Sequence, residues 1–595
     1  MKRTPFLPLV LCLLLIACGG GNNKKAYATG ANGNTAASTE DILYFNGDII
    51  TMEGNQPQYA EAVVSKKGEI VFVGNLSEAQ KQFPAAEKMD LHGKTMMPGF
   101  IEPHAHPVSL GGIILSNEII APHEWKMPQQ TYPAVVGHDN YLKALHDVVN
   151  NSENKNDYVM VWGYHKAWHG DITKKEIDKA TGDIPTIIYQ RSCHEIYLNS
   201  AALKKFNVNV SKDIPKDAMA QVDEKNGHFW ERAYQSMRAG ALKAVFNDEA
   251  RIKVGLTRLS DMMLQNGITA MMEPSFPNST FEGEYPALKA EADKTNRYMV
   301  YLVPGFPEQY SLKKSNVDFD KYIKTLSKYD SKNITFLTDQ YKLFSDGAIY
   351  SLAMELRSPY LHCPTCKGEW IIPPAYQKPL FDFYWDHGYR IHIHVTGDKG
   401  LESYLQLLED AQKRNPRKDH RTTFHHLGVI GEDQAERMAK MGAEASVNSY
   451  YLYAMGNKYA EIGLGPERAH AIAPMKWLTE RNIPTSVHSD FAMAPAEPLT
   501  LAWVAATRMS DSGQPLRPDL GCSVYDALKA ITISAASTFS YENKIGSIKE
   551  GKQATFTILD QNLQTPVKLT TVGRFKLTTP GRSKLTMLGR AKLTT

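Results

Sequence analysis

Eight short β-rich runs, several of them separated by helix-forming stretches, set the strongest limit on how this chain can fold. They are "MMPGFIEPHAH" (96–106), "GITAMMEP" (267–274), "YMVYLVPG" (298–305), "YKLFSDG" (341–347), "RIHIHVTG" (390–397), "TTFHHLG" (422–428), "EASVNSY" (444–450) and "PTSVHSD" (484–490). Stretches between them, such as "LESYLQLLEDAQKRN" and "EDQAERMAKMG", repeat their apolar residues at the helical period. This alternation predicts an α/β fold, a (β/α)8 TIM-like barrel built from 98–107 and 260–540. The intervening 108–259 is too long for one connecting loop. It reads as a domain inserted after barrel strand 1 that covers the substrate, with its own strands in "YVMVWGYHKA" and "PTIIYQRSCHEIYL". Two further β-rich pieces with Gly and Asn turns, 41–97 and 541–565, predict a small β-sandwich domain assembled from both termini.

The ends of the chain have a different character. Lys2 and Arg3 precede the apolar run "FLPLVLCLLLIA", and residues 1–17 read as a signal peptide. The run ends in "LIAC", which resembles a bacterial lipobox with Cys18 as the lipidated thiol, followed by a Gly/Asn-rich tether over 18–40. The expected location is therefore outside the cytoplasm, lipid-anchored to the cell envelope, on the outer membrane facing the periplasm in a Gram-negative cell. Membrane contact is expected through Cys18. At the other end, residues 566–595 repeat a basic octad ("KLTTVGRF", "KLTTPGRS", "KLTMLGRA") and read as a low-complexity tail.

The formal charge of +3 comes from these two ends, and without their lysines and arginines the body is net negative. Nucleic acid is accordingly not an expected partner; a small molecule is, and a homo-oligomer is left open. With 43% hydrophobic and 22% charged residues, the disordered and multi-pass membrane classes are excluded. In an exported chain the single "CPTC" favours a local disulfide between Cys363 and Cys366.

Chemistry concentrates at strand ends. His104 and His106 are two residues apart and so share one face of the first strand, at the C-terminal end where barrel enzymes keep their active sites. Comparable positions elsewhere hold Lys342, His392 and His394, His425 and His426, and Asp490. Imidazole and carboxylate donors suit zinc and similar divalent ions. Lys342 is out of place in such a set as a cation, unless it pairs with Asp346. Alternation allows only one of His425 and His426 to enter the site, and His394, nearer the strand end, is a better ligand than His392.

Taken in order, "PGFIEPHAH", the Lys342 strand with "FSDG", "HVTGD", "FHHL", "VHSD" and the terminal "GSIKEGKQATFTILD" resemble the amidohydrolase superfamily, in particular its YtcJ-like branch, which includes N-substituted formamide deformylases. The resemblance spans 41–562 and implies metal ligation by His104, His106, Lys342, His394, His426 and Asp490, with one or two divalent ions, most simply zinc. In a two-metal site Lys342 would be carboxylated by CO2 and its carbamate would bridge the ions. Asp490 would also move protons. His165, Arg191 and His194 resemble substrate-binding positions of the branch, and "GLGPERAHA" offers Arg468 as a further substrate contact, suited to a substrate anion. The sequence departs from many relatives at Glu102-Pro103, His425 and His488, departures that bear on substrate choice.

The implied activity is hydrolysis of a non-peptide C–N bond, in an N-acyl or N-formyl amine, by metal-activated hydroxide. Two alternatives stand beside it: a non-catalytic metal-containing binding lipoprotein, and an esterase or lactonase using the same site.

Overall fold

The computed structural model describes residues 41–560, apart from 279, 296–297, 306–317 and 362, together with 588–589. The signal peptide, Cys18, the tether and nearly all of the octad tail lie outside these residues. No helix among those described is long and apolar enough to cross a membrane.

All eight β-rich runs form strands, in two parallel arcs. The first arc pairs Phe100–Glu102 with Ile268–Phe276, then Met299–Pro304, then a short strand Ile334–Phe336. The second runs Gln340–Phe344, Arg390–Val395, Thr423–His426, Glu444–Val447 and Thr485–Val487. The fourth barrel position, expected to be one strand, is thus shared. Ile334–Phe336 takes the hydrogen bonds of the third strand, and the chain then steps across to Gln340–Phe344, which pairs with the fifth. Gly305 sits at this seam, where a Cβ would lie 2.7 Å from Ser275 Oγ and 3.2 Å from Lys342 Cβ. The other seam joins eighth strand to first through a parallel bridge between Ala105 and Phe491 and a 3.1 Å bond from Asp490 N to His104 O.

Helices cover the strands as their periodicity requires. Asp398–Arg414 buries Leu401, Tyr404, Leu405, Leu408 and Ala411, spaced by three and four residues on one face. The chain between first and second strands carries its own six-stranded sheet, including Val159–Tyr164, Thr186–Gln190 and Glu195–Leu198. The expected limit at 259 falls inside the helix Glu249–Gln265, which leads directly into the second barrel strand. That helix packs so closely on Pro107–Gly112 that a Cβ on Gly255 would lie 1.9 Å from Gly112 O.

The termini meet in one sheet. Thr555–Leu559 pairs antiparallel with Thr95–Pro98, which lies beside Asp41–Ile50, Tyr59–Lys66 and Glu69–Gly74 in turn. Instead of two stacked sheets, this sheet curls until its edges meet, with Ile70 N donating to Lys552 O at 2.8 Å and Ala554 N to Gly68 O at 2.9 Å. Alternating side chains fill the two faces: Tyr44, Val63, Ile70, Met96 and Phe556 on one, and Leu43, Ala62, Val64 and Phe72 on the other, beneath Ala79 of the helix Leu76–Gln82. A disulfide joins Cys363 to Cys366.

Phe556, fully buried and edge-on to Tyr44 at 5.1 Å, ties the C-terminal strand to the N-terminal sheet. Phe556→Ala is expected to lower stability by about 3–5 kcal/mol in denaturant unfolding. A change below about 1 kcal/mol would show that the C-terminal strand adds little to this core.

Candidate active site

The strand ends converge on the floor of a cavity of about 720 Å³. His104 Nε2 lies 3.5 Å and His106 Nε2 3.4 Å from Asp490 Oδ1, while His426 Nδ1 is 3.6 Å from Asp490 Oδ2. His394 packs on His426 with ring centroids 4.5 Å apart, and Lys342 lines the same cavity. All six expected ligands are therefore in one place. Among the described residues, two overlapping groups have donor atoms within 4.8 Å of one another: His104, His106 and Asp490, and His104, His426 and His488.

The donor set fits a divalent ion. Burial holds His104, His394, His426 and His488 well below the usual histidine range and moves His106 down to about 4, so their rings stay neutral and keep a lone pair. The Nε2 atoms of His394 and His426 are buried with no hydrogen-bond partner among the described residues, a cost that a bound cation would remove. Burial raises the Asp490 carboxyl, and His106 and Lys342 pull it back. Burial lowers Lys342 to about 7, opposed by the charges of Asp490 and Glu273.

Two of the expected ligands lie in strained backbone. Asp490 has φ +51° and His426 φ +77°, in the left-handed region that non-glycine residues avoid. At His426 this changes the face. Strict alternation would admit only one of His425 and His426, but the chain leaves strand geometry at His426 and both rings reach the interior. His426 lines the cavity, and His425 Nδ1 lies 2.8 Å from His104 Nδ1 beneath it. His392 lies deeper still, with Nδ1 2.9 Å from His425 Nε2.

Of the four expected substrate contacts, only His194 lines the cavity. Its Nδ1 is 2.9 Å from Glu231 Oε2, and although burial opposes it, this carboxylate raises the ring's pKa. The others are occupied elsewhere. Arg191 lies among Trp125, Trp162 and Tyr350 and donates to the carbonyls of Ala492 and Met493 at 2.5 and 2.6 Å, holding the backbone just after Asp490. His165 Nδ1 accepts from Ala167 N at 3.1 Å and caps a helical turn. Arg468 spends its guanidinium on the carbonyls of Leu464, Ser358 and Pro359, so it is not placed to hold a substrate anion.

Glu102 is likewise not a substrate contact. Its carboxylate accepts from Ser489 N and Oγ and from His104 N, latching first strand to eighth. Asp346 is not the partner of Lys342; it accepts from the backbone N–H groups of Glu355, Thr396 and Gly397. Sequence reasoning missed Glu273, a fully buried carboxylate bonded to His106 Nδ1 and, at 2.9 Å, to Asn278 Nδ2. Its signal was an acid inside the otherwise apolar run "GITAMMEP". Also missed were the cavity walls: Tyr234, Arg238 and Lys243 from the chain between first and second strands, and Phe281, Phe344 and Ile372 from the barrel.

Comparison with known proteins agrees with this architecture. The chain is 24% identical over 531 residues to the protein YtcJ of Bacillus subtilis (strain 168), covering 87% of this chain and 94% of YtcJ. It is 23% identical over 554 residues to the N-substituted formamide deformylase of Arthrobacter pascens, covering 88% of this chain and 94% of that enzyme. It shares its fold with the crystal structure of an uncharacterized metal-dependent hydrolase from Pyrococcus horikoshii OT3, with a TM-score of 0.66 and 20% identity over 88% of this chain and 98% of the other. A sequence profile described as "Amidohydrolase family" matches residues 87–571, and the chain therefore belongs to the amidohydrolase family.

Proposed function

We propose that the protein hydrolyses a non-peptide C–N bond, of the N-acyl or N-formyl amine type, with His104, His106, Lys342, His394, His426 and Asp490 holding one or two divalent ions, zinc by donor chemistry. The observation that carries this reading is the approach of His104 Nε2 and His106 Nε2 to the same Asp490 oxygen, at 3.5 and 3.4 Å, on the cavity floor. A divalent ion held there would acidify water and polarise the substrate carbonyl.

The chain's own residues do the rest. Asp490, at the mouth of the eighth strand, takes a proton from the attacking water and returns it to the leaving nitrogen. Glu273 fixes the ring of His106 through Nδ1, leaving Nε2 toward Asp490. His194, held by Glu231 on the cavity wall, is placed to bind the polar group of the substrate. Phe281, Phe344 and Ile372 supply an apolar wall for its hydrocarbon part. No serine or cysteine nucleophile is needed. The same reading takes the protein as exported and tethered to the envelope through Cys18.

A lysine held at about 7 is the form that CO2 requires, because carbamate forms on the uncharged amine. The sign follows: above about pH 7 the amine is largely neutral and carboxylation is favoured, below it the ammonium resists. Zinc uptake by stripped protein should therefore be promoted by bicarbonate more strongly as pH rises through about 7. Lys342→Ala should lower metal content and abolish that response; unchanged metal content in this variant would favour a single ion held without Lys342.

The activity itself is tested by elemental analysis joined to a screen of N-formyl and N-acyl amines, esters and lactones. Asp490→Asn is expected to lose at least about a hundredfold in kcat. Bound metal with no turnover of any of these, or full turnover in the Asn variant, would overturn the mechanism.

A further inference from the structure

Beneath the cavity floor, three histidines and a glutamine form one unbroken line of hydrogen bonds. Gln340 Nε2 donates to the backbone carbonyl of Phe539 at 3.0 Å. Gln340 Oε1 lies 2.8 Å from His392 Nε2, His392 Nδ1 lies 2.9 Å from His425 Nε2, and His425 Nδ1 lies 2.8 Å from His104 Nδ1. All four side chains are buried, so no water competes for their donors or acceptors.

The far end of this line dictates its direction. A backbone carbonyl only accepts, so the Gln340 amide must turn its NH2 toward Phe539 and its oxygen toward His392. The oxygen then requires a proton on His392 Nε2, which leaves His392 Nδ1 to accept from His425 Nε2. His425 Nδ1 in turn accepts from His104 Nδ1. Each ring carries one proton, and the lone pair that remains is on His104 Nε2, the atom 3.5 Å from Asp490. Flipping the amide would set two acceptors, Gln340 Oε1 and Phe539 O, against each other.

We propose that Gln340, His392 and His425 are positioning residues that set the tautomer of His104, so that its Nε2 lone pair faces the site before any ion arrives. The proposal rests on His104 being a metal ligand. His106 has its own orienting partner in Glu273, so the two histidines of the first strand are aligned by independent devices. Together they pre-order two lone pairs at a site whose ligands otherwise come from distant parts of the chain.

The direct test is a neutron structure of the deuterium-exchanged, zinc-loaded full chain. Deuterons are expected on His392 Nε2, His425 Nε2 and His104 Nδ1, with none on His104 Nε2. A deuteron on His425 Nδ1 or His392 Nδ1 would overturn the relay while leaving zinc binding intact. Protein that takes up no zinc at all would sink the metal reading and the relay with it. Gln340→Met, close in shape but without the acceptor, is expected to weaken zinc binding about 10- to 100-fold in chelator competition. Zinc affinity unchanged in the Met variant would also overturn the relay.

Discussion

The buried carboxylate of Glu102 takes hydrogen bonds from Ser489 N and Oγ, 387 residues away in the chain, and from His104 N. Burial pushes this group up to about 8 against the pull of those donors. The latch closes the seam between first and last barrel strands, and the two sides of that seam supply His104, His106 and Asp490. A shift of one residue at the seam would turn these side chains away from one another, because strand neighbours point to opposite faces. Arg191 supports the same corner from the inserted chain, holding the carbonyls of Ala492 and Met493. The site is thus a property of barrel closure, with Arg191 of the chain between first and second strands helping to fix the eighth strand's exit.

Burial also decides the electrostatics. A pocket of neutral imidazoles, with a lysine lowered to about 7 and carboxylates raised by desolvation, is unfavourable for isolated charge. A divalent ion meeting the lone pairs and the Asp490 carboxylate together would make it favourable. The left-handed backbone at His426 and Asp490 belongs to the same economy of strain: conformations of low intrinsic stability persist where they point a functional group inward.

Much of this was legible in the sequence, and for identifiable reasons. Strand periodicity and helical spacing locate all eight barrel strands, and parallel barrels gather strand-end residues on one side, which groups His104, His106, Lys342, His392, His394, His425, His426 and Asp490; the resemblance to the amidohydrolases narrows that group to the six expected ligands. What could not be read depends on three-dimensional partners. Arg191 and Arg468 are polar residues in plausible places, but their guanidiniums are consumed by backbone carbonyls that only the folded chain presents. Alternation admits one of His425 and His426 and the resemblance selects His426, but alternation fails where φ turns positive at His426, so His425 turns inward as well and meets His104 beneath the cavity floor. Glu273 was passed over because one acid within an apolar strand says little until its partner His106 is in view. The curled terminal sheet was visible as two β-rich pieces, whereas the meeting of its edges was not.

The central claim is that the His104, His106 and Asp490 side chains form a metal site on the barrel floor. It is tested most directly by anomalous X-ray diffraction at the zinc edge from crystals of the zinc-loaded protein. The expected result is a peak about 2 Å from His104 Nε2, His106 Nε2 and an Asp490 oxygen. A saturated crystal whose zinc peaks all lie at other histidines, with none on the cavity floor, would contradict it.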